Sequence, residues 1–159
     1  MKRLSVLALS VLVLGAIPTI ATAKHSPGKG PKKDLVVGTA MFPALPAFVH
    51  INAKSGATGQ NPRGHFLLRQ FGWQLRGSVT CMQVVGNRAS VGGRFTRSSG
   101  VGAPAVGTGF VQFIEDNGSP GRNDRSHTVL AATPPMICPA PITPSFVVAK
   151  GNYVVHDGT

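Results

Sequence analysis

Residues Glu115 to Asp124 read EDNGSPGRND and hold three of the five acidic side chains in a chain of formal charge +11. Carboxylates and amides gathered in one loop are calcium-ligand chemistry. An EF-hand also needs oxygen ligands at alternate positions, a Gly at the sixth and a bidentate Glu at the twelfth. Counted from Asp116, the third and fifth positions are Gly118 and Pro120, which carry no side-chain oxygen. A turn is the better-supported reading. Asn117-Gly118 reverses the chain, Pro120-Gly121 bends it again, and Asp116 and Asp124 accept bonds from turn N–H groups. Arg122 and Arg125 stand close enough in sequence to offset the acids. Asn117-Gly118-Ser119 is a formal N-glycosylation triplet, but Pro120 directly after it and the tight turn make it a poor acceptor.

Glu115, His65, His127 and several Arg form a second set, the parts of a small secreted ribonuclease: general base, general acid and phosphate-binding cations. Each His has a plain alternative on a half-exposed strand, and spacing alone does not make the set converge. The chain has no G-x-S-x-G elbow, no Walker-type Gly-Lys-Thr loop, no H-E-x-x-H and no Cys/His cluster for zinc. No catalytic residue, metal or cofactor is therefore expected. Stacking on nucleic-acid bases calls for aromatics interleaved with Arg or Lys. Arg69, Phe71 and Trp73, at alternate positions, come nearest to that pattern, with burial of Trp73 in a core as the alternative.

The elements that must position these residues begin after an export signal. Met1-Lys2-Arg3 is a charged start, Leu4 to Ile17 an apolar run, and Pro18 with Ala21-Thr22-Ala23 an A-x-A cleavage site. The run is shorter than the roughly 20 residues of a membrane span. Residues 1–23 read as a signal peptide cleaved after Ala23, with no transmembrane anchor expected in the chain that follows. Removing Lys2 and Arg3 lowers the formal charge from +11 to +9. Outside the cytosol the two cysteines, Cys81 and Cys138, are expected to form a disulfide. Residues 24–33, KHSPGKGPKK, lack an apolar anchor and read as a flexible basic leader whose Lys24, Lys29, Lys32 and Lys33 suit polyanions. The partners this implies are anionic polymers: wall polymer, nucleic acid or an anionic lipid surface. A solvated surface with no dedicated partner accounts for the same charge.

Residues 34–159 form one domain in this reading. Short runs rich in Val, Phe, Thr and Ile alternate with Gly-containing breaks, and no stretch sustains a helical period. In Ala47–Ala53, Val49, Ile51 and Ala53 share one face while His50 and Asn52 share the other. In Leu75–Val85, Leu75, Gly77, Val79 and Cys81 face one way, which puts Cys81 on the buried face. Gly86-Asn87 and Asn117-Gly118 are the two hairpin signals. The predicted fold is all-β, a single antiparallel sandwich or barrel-like domain, with the proline-rich loop Thr133–Pro144 tied to a central strand through Cys138.

The order of turn elements carries a resemblance. Gly77-Ser78-Val79-Thr80-Cys81 is followed by Val84 to Gly86-Asn87-Arg88-Ala89 and Gly92-Gly93, then by Glu115-Asp116-Asn117-Gly118 to Pro120-Gly121 and Asp124. Gly151-Asn152 to Val155 and Asp157 close it. From about Ala47 onward the chain resembles the small exported bacterial β domains of the post-COAP type, which often follow choice-of-anchor surface modules. The resemblance implies an antiparallel domain at the cell surface or in the medium, without established catalytic residues, in which the Asp-Asn-Gly-x-Pro-Gly run is a structural turn. The chain departs from the pattern in its basic leader, its Arg content, the lack of a companion module and Gln112, where an apolar residue is expected. The functional expectation is a secreted, non-catalytic binding or structural module with affinity for polyanions. The alternative is a small ribonuclease-like hydrolase.

Overall fold

The computed structural model describes residues 32–42, 45–121 and 123–159. The expected signal peptide with its cleavage point after Ala23, and Lys24 and Lys29 of the expected leader, lie outside the described residues. The strands are β1 (Lys33–Phe42), β2 (Ala47–Gly56), β3 (Arg63–Gln70), β4 (Trp73–Val85), β5 (Arg88–Ser99), β6 (Gly109–Glu115), β7 (Arg125–Ala131), β8 (Phe146–Val147) and β9 (Lys150–His156). Lys33, expected in the leader, is the first residue of β1, paired with Gly56.

All nine strands belong to one antiparallel sheet in the order β8-β7-β6-β5-β4-β3-β2-β1-β9. The sheet is a meander whose last strand returns to pair with the first. It curls strongly on itself as a half-barrel, so one sheet supplies the core that a sandwich would build from two. Alternation explains the inward face: Val49, Ile51 and Ala53 are buried while Asn52 and Lys54 are exposed. Inside, Phe110 stacks between Phe66 and Phe95, with ring centroids 4.3 and 5.2 Å away. Burying each such ring stabilises the fold by about 1.5–3 kcal/mol. Gly77 and Gly93 make room for the stack, because a Cβ on either would sit 2.5 or 2.6 Å from the Phe110 ring.

Three expectations need correction. The β4–β5 pairing shifts register between Val79 and Cys81. That bulge returns Met82 to the core and turns Cys81 to the outer face. Cys81 is still buried, because the Thr133–Pro144 segment lies across it: the Cys81–Cys138 disulfide (Cα–Cα 5.3 Å), Thr80 Oγ1 to Pro135 O at 2.6 Å and Ser90 Oγ to Pro139 O at 2.5 Å hold that segment down. Gly92 leaves space for the bridge, since a Cβ there would meet Cys81 Sγ at 2.5 Å.

The second correction concerns Asn117-Gly118, which is not a two-residue hairpin: β6 ends at Glu115 and β7 begins at Arg125. The third is Gln112, which is fully buried and no misfit. Its amide bonds Ser126 and Thr128 across β7, and Ser126 Oγ accepts the Tyr153 hydroxyl at 3.1 Å. Burial pushes the Tyr153 phenol well above its ordinary range.

Candidate functional site

The acidic loop answers to its chemistry in an unexpected place. Curling brings the free edge of β9 up to the β6–β7 connection. Asp124 Oδ2 accepts the Tyr153 N–H at 2.8 Å and Asp116 Oδ2 accepts the Val155 N–H at 2.9 Å. The second oxygens bind the loop itself, Asp124 Oδ1 from Asn117 N and Asp116 Oδ1 from Gly118 N, both at 2.8 Å. The carbonyl of Asp124 accepts Val148 N–H at 2.8 Å. Gly121 packs directly on Gly151 and Asn152, Ser119–Pro120 is a cis bond, and Pro120 itself is exposed. The turn motif is thus a clasp: two carboxylates do for the barrel seam what a neighbouring strand's carbonyls would do. Arg125 reaches Pro144 O at 3.4 Å, away from these acids.

The other acids are engaged at the same end of the barrel. Asp34 accepts Gly158 N–H at 2.9 Å and Ser55 Oγ at 3.3 Å. Glu115 pairs with Arg88 at 2.7 Å, the single ion pair among the described residues. The Thr159 hydroxyl, the Thr159 N–H and the Gly86 N–H hold the Asp157 carboxyl down to about 2. All five acids of the chain therefore hold the fold at one end.

The ribonuclease set does not come together. His65 is exposed on β3 and Glu115 is buried on β6, with two strands between them. His127, on β7, packs edge-on against Phe146. Sequence spacing missed a different pair: His50 and His65 place their Nε2 atoms 3.2 Å apart on the outer face of β2 and β3. Burial, and then the charge of His65, hold the His50 imidazole below its ordinary range. Among the described residues no three His, Cys, Asp or Glu side chains gather as a metal-ligand set.

Around this pair the outer face of β2–β5 is cationic. Register aligns His50, Leu67, Arg76 and Arg97 in one cross-strand row, and Asn52, His65, Ser78 and Arg94 in the next. Arg76 and Arg97 are direct partners, an arrangement of like charges that destabilises a sheet unless something anionic lies over it. At the edge of the face, Lys32, Lys33, Lys54 and Arg63 line a groove of about 250 Å³. Two of the leader lysines singled out from sequence thus meet two strand cations that were not.

The opposite end of the barrel carries a groove of about 520 Å³ whose lining includes Met41, Phe48, Arg69, Phe71, Trp73 and Lys150. Phe71-Gly72 is the two-residue turn from β3 to β4, with φ of 53° and 81°. Positive φ at both places marks the hairpin turn that ordinarily takes Asn-Gly. A phenylalanine there costs about 1–3 kcal/mol in backbone strain, yet its ring is 62% exposed. Trp73 is half-buried; its ring meets Phe71 edge-on at 6.0 Å and its indole N–H bonds Val101 O at 2.9 Å. The Arg69–Phe71–Trp73 alternation seen in the sequence ends at this turn and does not make a flat stacking face.

Comparison with known proteins finds no family model, no curated protein and no solved structure that matches this chain. Among the described residues, no helix is long and apolar enough to cross a membrane.

Proposed function

We propose that this chain is an exported, non-catalytic β domain that binds polyanions at an extracellular or wall surface. The placement of charge carries the reading: the five acids are held in hydrogen bonds or an ion pair at one end, while Arg69, Arg76, Arg94 and Arg97 stand exposed on β3–β5 away from them. A face that aligns like charges without counter-ions gains most when an external anion neutralises it. The resemblance to exported post-COAP-type domains points the same way for location.

The alternative, a ribonuclease-like hydrolase, would draw its acid and base from His50 and His65. One assay separates the two. End-labelled single-stranded RNA is incubated with the protein across a salt series, and both retardation and cleavage are followed. The binding reading expects retardation without cleavage, with a salt slope that falls by about 0.7 for each phosphate contact removed, as in Arg76→Glu. Turnover that disappears in His65→Ala would replace binding with hydrolysis.

A further inference from the structure

We propose that the end of the barrel opposite the acidic clasp docks on an anionic lipid bilayer, seating Phe71, Val101 and Val106 among the headgroups while Arg69, Arg76, Arg97 and Lys150 meet phosphates. This rests on the polyanion reading above and names one partner for it.

The Phe71-Gly72 turn and the connection from Gly100 to Thr108 lie there. Val101, Val106 and Phe71 on them face outward, 100%, 63% and 62% exposed, and Met41 near the end of β1 is 46% exposed. The Trp73–Val101 bond ties the last loop to the turn, and Gly100 packs on Gly72 and Trp73, so these tips form one surface. Gln74 lies in the groove beside Phe71 and also in the adjoining groove of Val106, Arg76 and Arg97.

Two features select the partner. The first is the choice of residue at the turn. Asn at position 71 would satisfy the backbone, so the phenylalanine is explained by what its exposed ring does and not by the turn. The second is charge. Cations ring the apolar tips, and all five acids lie at the far end. A protein partner of ordinary composition would need no such exclusion of acids, whereas an anionic headgroup layer repels them. Apolar tips inside a basic collar are the features of a peripheral lipid-binding surface, in which each cation near the membrane and each buried ring contribute separately.

The test uses vesicles of phosphatidylcholine with and without phosphatidylglycerol, and the single-stranded RNA above as the soluble polyanion. Trp73, the only tryptophan, reports docking from its place beside Phe71. Expected are binding to the phosphatidylglycerol vesicles alone and a change in Trp73 emission. Phe71→Asn should weaken vesicle affinity about tenfold or more and leave RNA affinity unchanged. Retardation of RNA with no vesicle binding overturns the docking inference and leaves the polyanion reading standing. Vesicle binding that Phe71→Asn does not weaken overturns the seated tips in favour of charge alone. Concentration-dependent self-association abolished by Phe71→Asn would assign the surface to a second copy of the chain. Binding to neither probe overturns the inference and the reading together.

Discussion

The two ends of this half-barrel are built on opposite terms. At the clasp end, Asp34, Asp116, Asp124 and Asp157 each accept at least one backbone N–H, and Glu115 is paired with Arg88. At the Phe71 end, no carboxylate is present, cations are exposed, and a phenylalanine is held at positive φ. The first end satisfies its carboxylates internally, although Lys33, Lys54 and Arg63 are exposed there; the second leaves apolar and cationic groups facing water with no carboxylate near. The difference separates what folds the chain from what the chain offers to other molecules. Substitutions should divide accordingly.

The largest effect belongs to the bridge that pins the proline-rich segment across β4 and β5. Cys81→Ser with Cys138→Ser should lower unfolding free energy by about 4 kcal/mol in the chain-entropy account, read from urea midpoints. Asp124→Ala comes next. Its fully buried carboxylate serves Asn117 and Tyr153, so loss of both bonds should cost about 3 kcal/mol. A midpoint close to the parent's would show that the seam does not need its clasp.

Phe71→Asn should instead stay within about 1 kcal/mol of the parent, because relief of positive-φ strain offsets the lost edge contact with Trp73. A loss as large as that of Asp124→Ala would erase the distinction between the two ends. The smallest effect is on pH. His50 is held below its ordinary range, so between pH 7 and 5 the unfolded chain takes up more protons than the folded one. Stability should therefore decline as pH falls through about 6.5 and level off below the folded-state value. His50→Ala should flatten that slope in pH-dependent thermal melts.

Much of the scaffold was legible from residue order. Alternation in Ala47–Ala53 marked an inward face correctly, and Gly86-Asn87 marked a true two-residue hairpin, with Gly86 at φ 58°. Local pattern failed where geometry overrode propensity. Phe71-Gly72 conceals a hairpin because its first residue is the wrong type for one. The bulge at Val79–Cys81 flips a face without a glycine or proline among its own three residues; Gly92 and Gly93 stand opposite it on β5. The acids of EDNGSPGRND were read as turn acceptors, and Asp124 and Asp116 accept from the N–H groups of Asn117 and Gly118. Their bonds to Tyr153 and Val155 were out of reach, since they span 29 and 39 residues. His50 and His65 alternate unremarkably on their own strands, and only the register of β2 on β3 brings them side by side.

The clasp has a consequence for how copies of this chain behave together. An open sheet with a bare outer strand invites another chain to extend it, and repetition of that step makes a fibre. On β9 the N–H groups of Tyr153 and Val155 are already occupied by Asp124 and Asp116. A loop of the same molecule thus stands where an intruding strand would add. Two carboxylates keep the sheet from growing past β9.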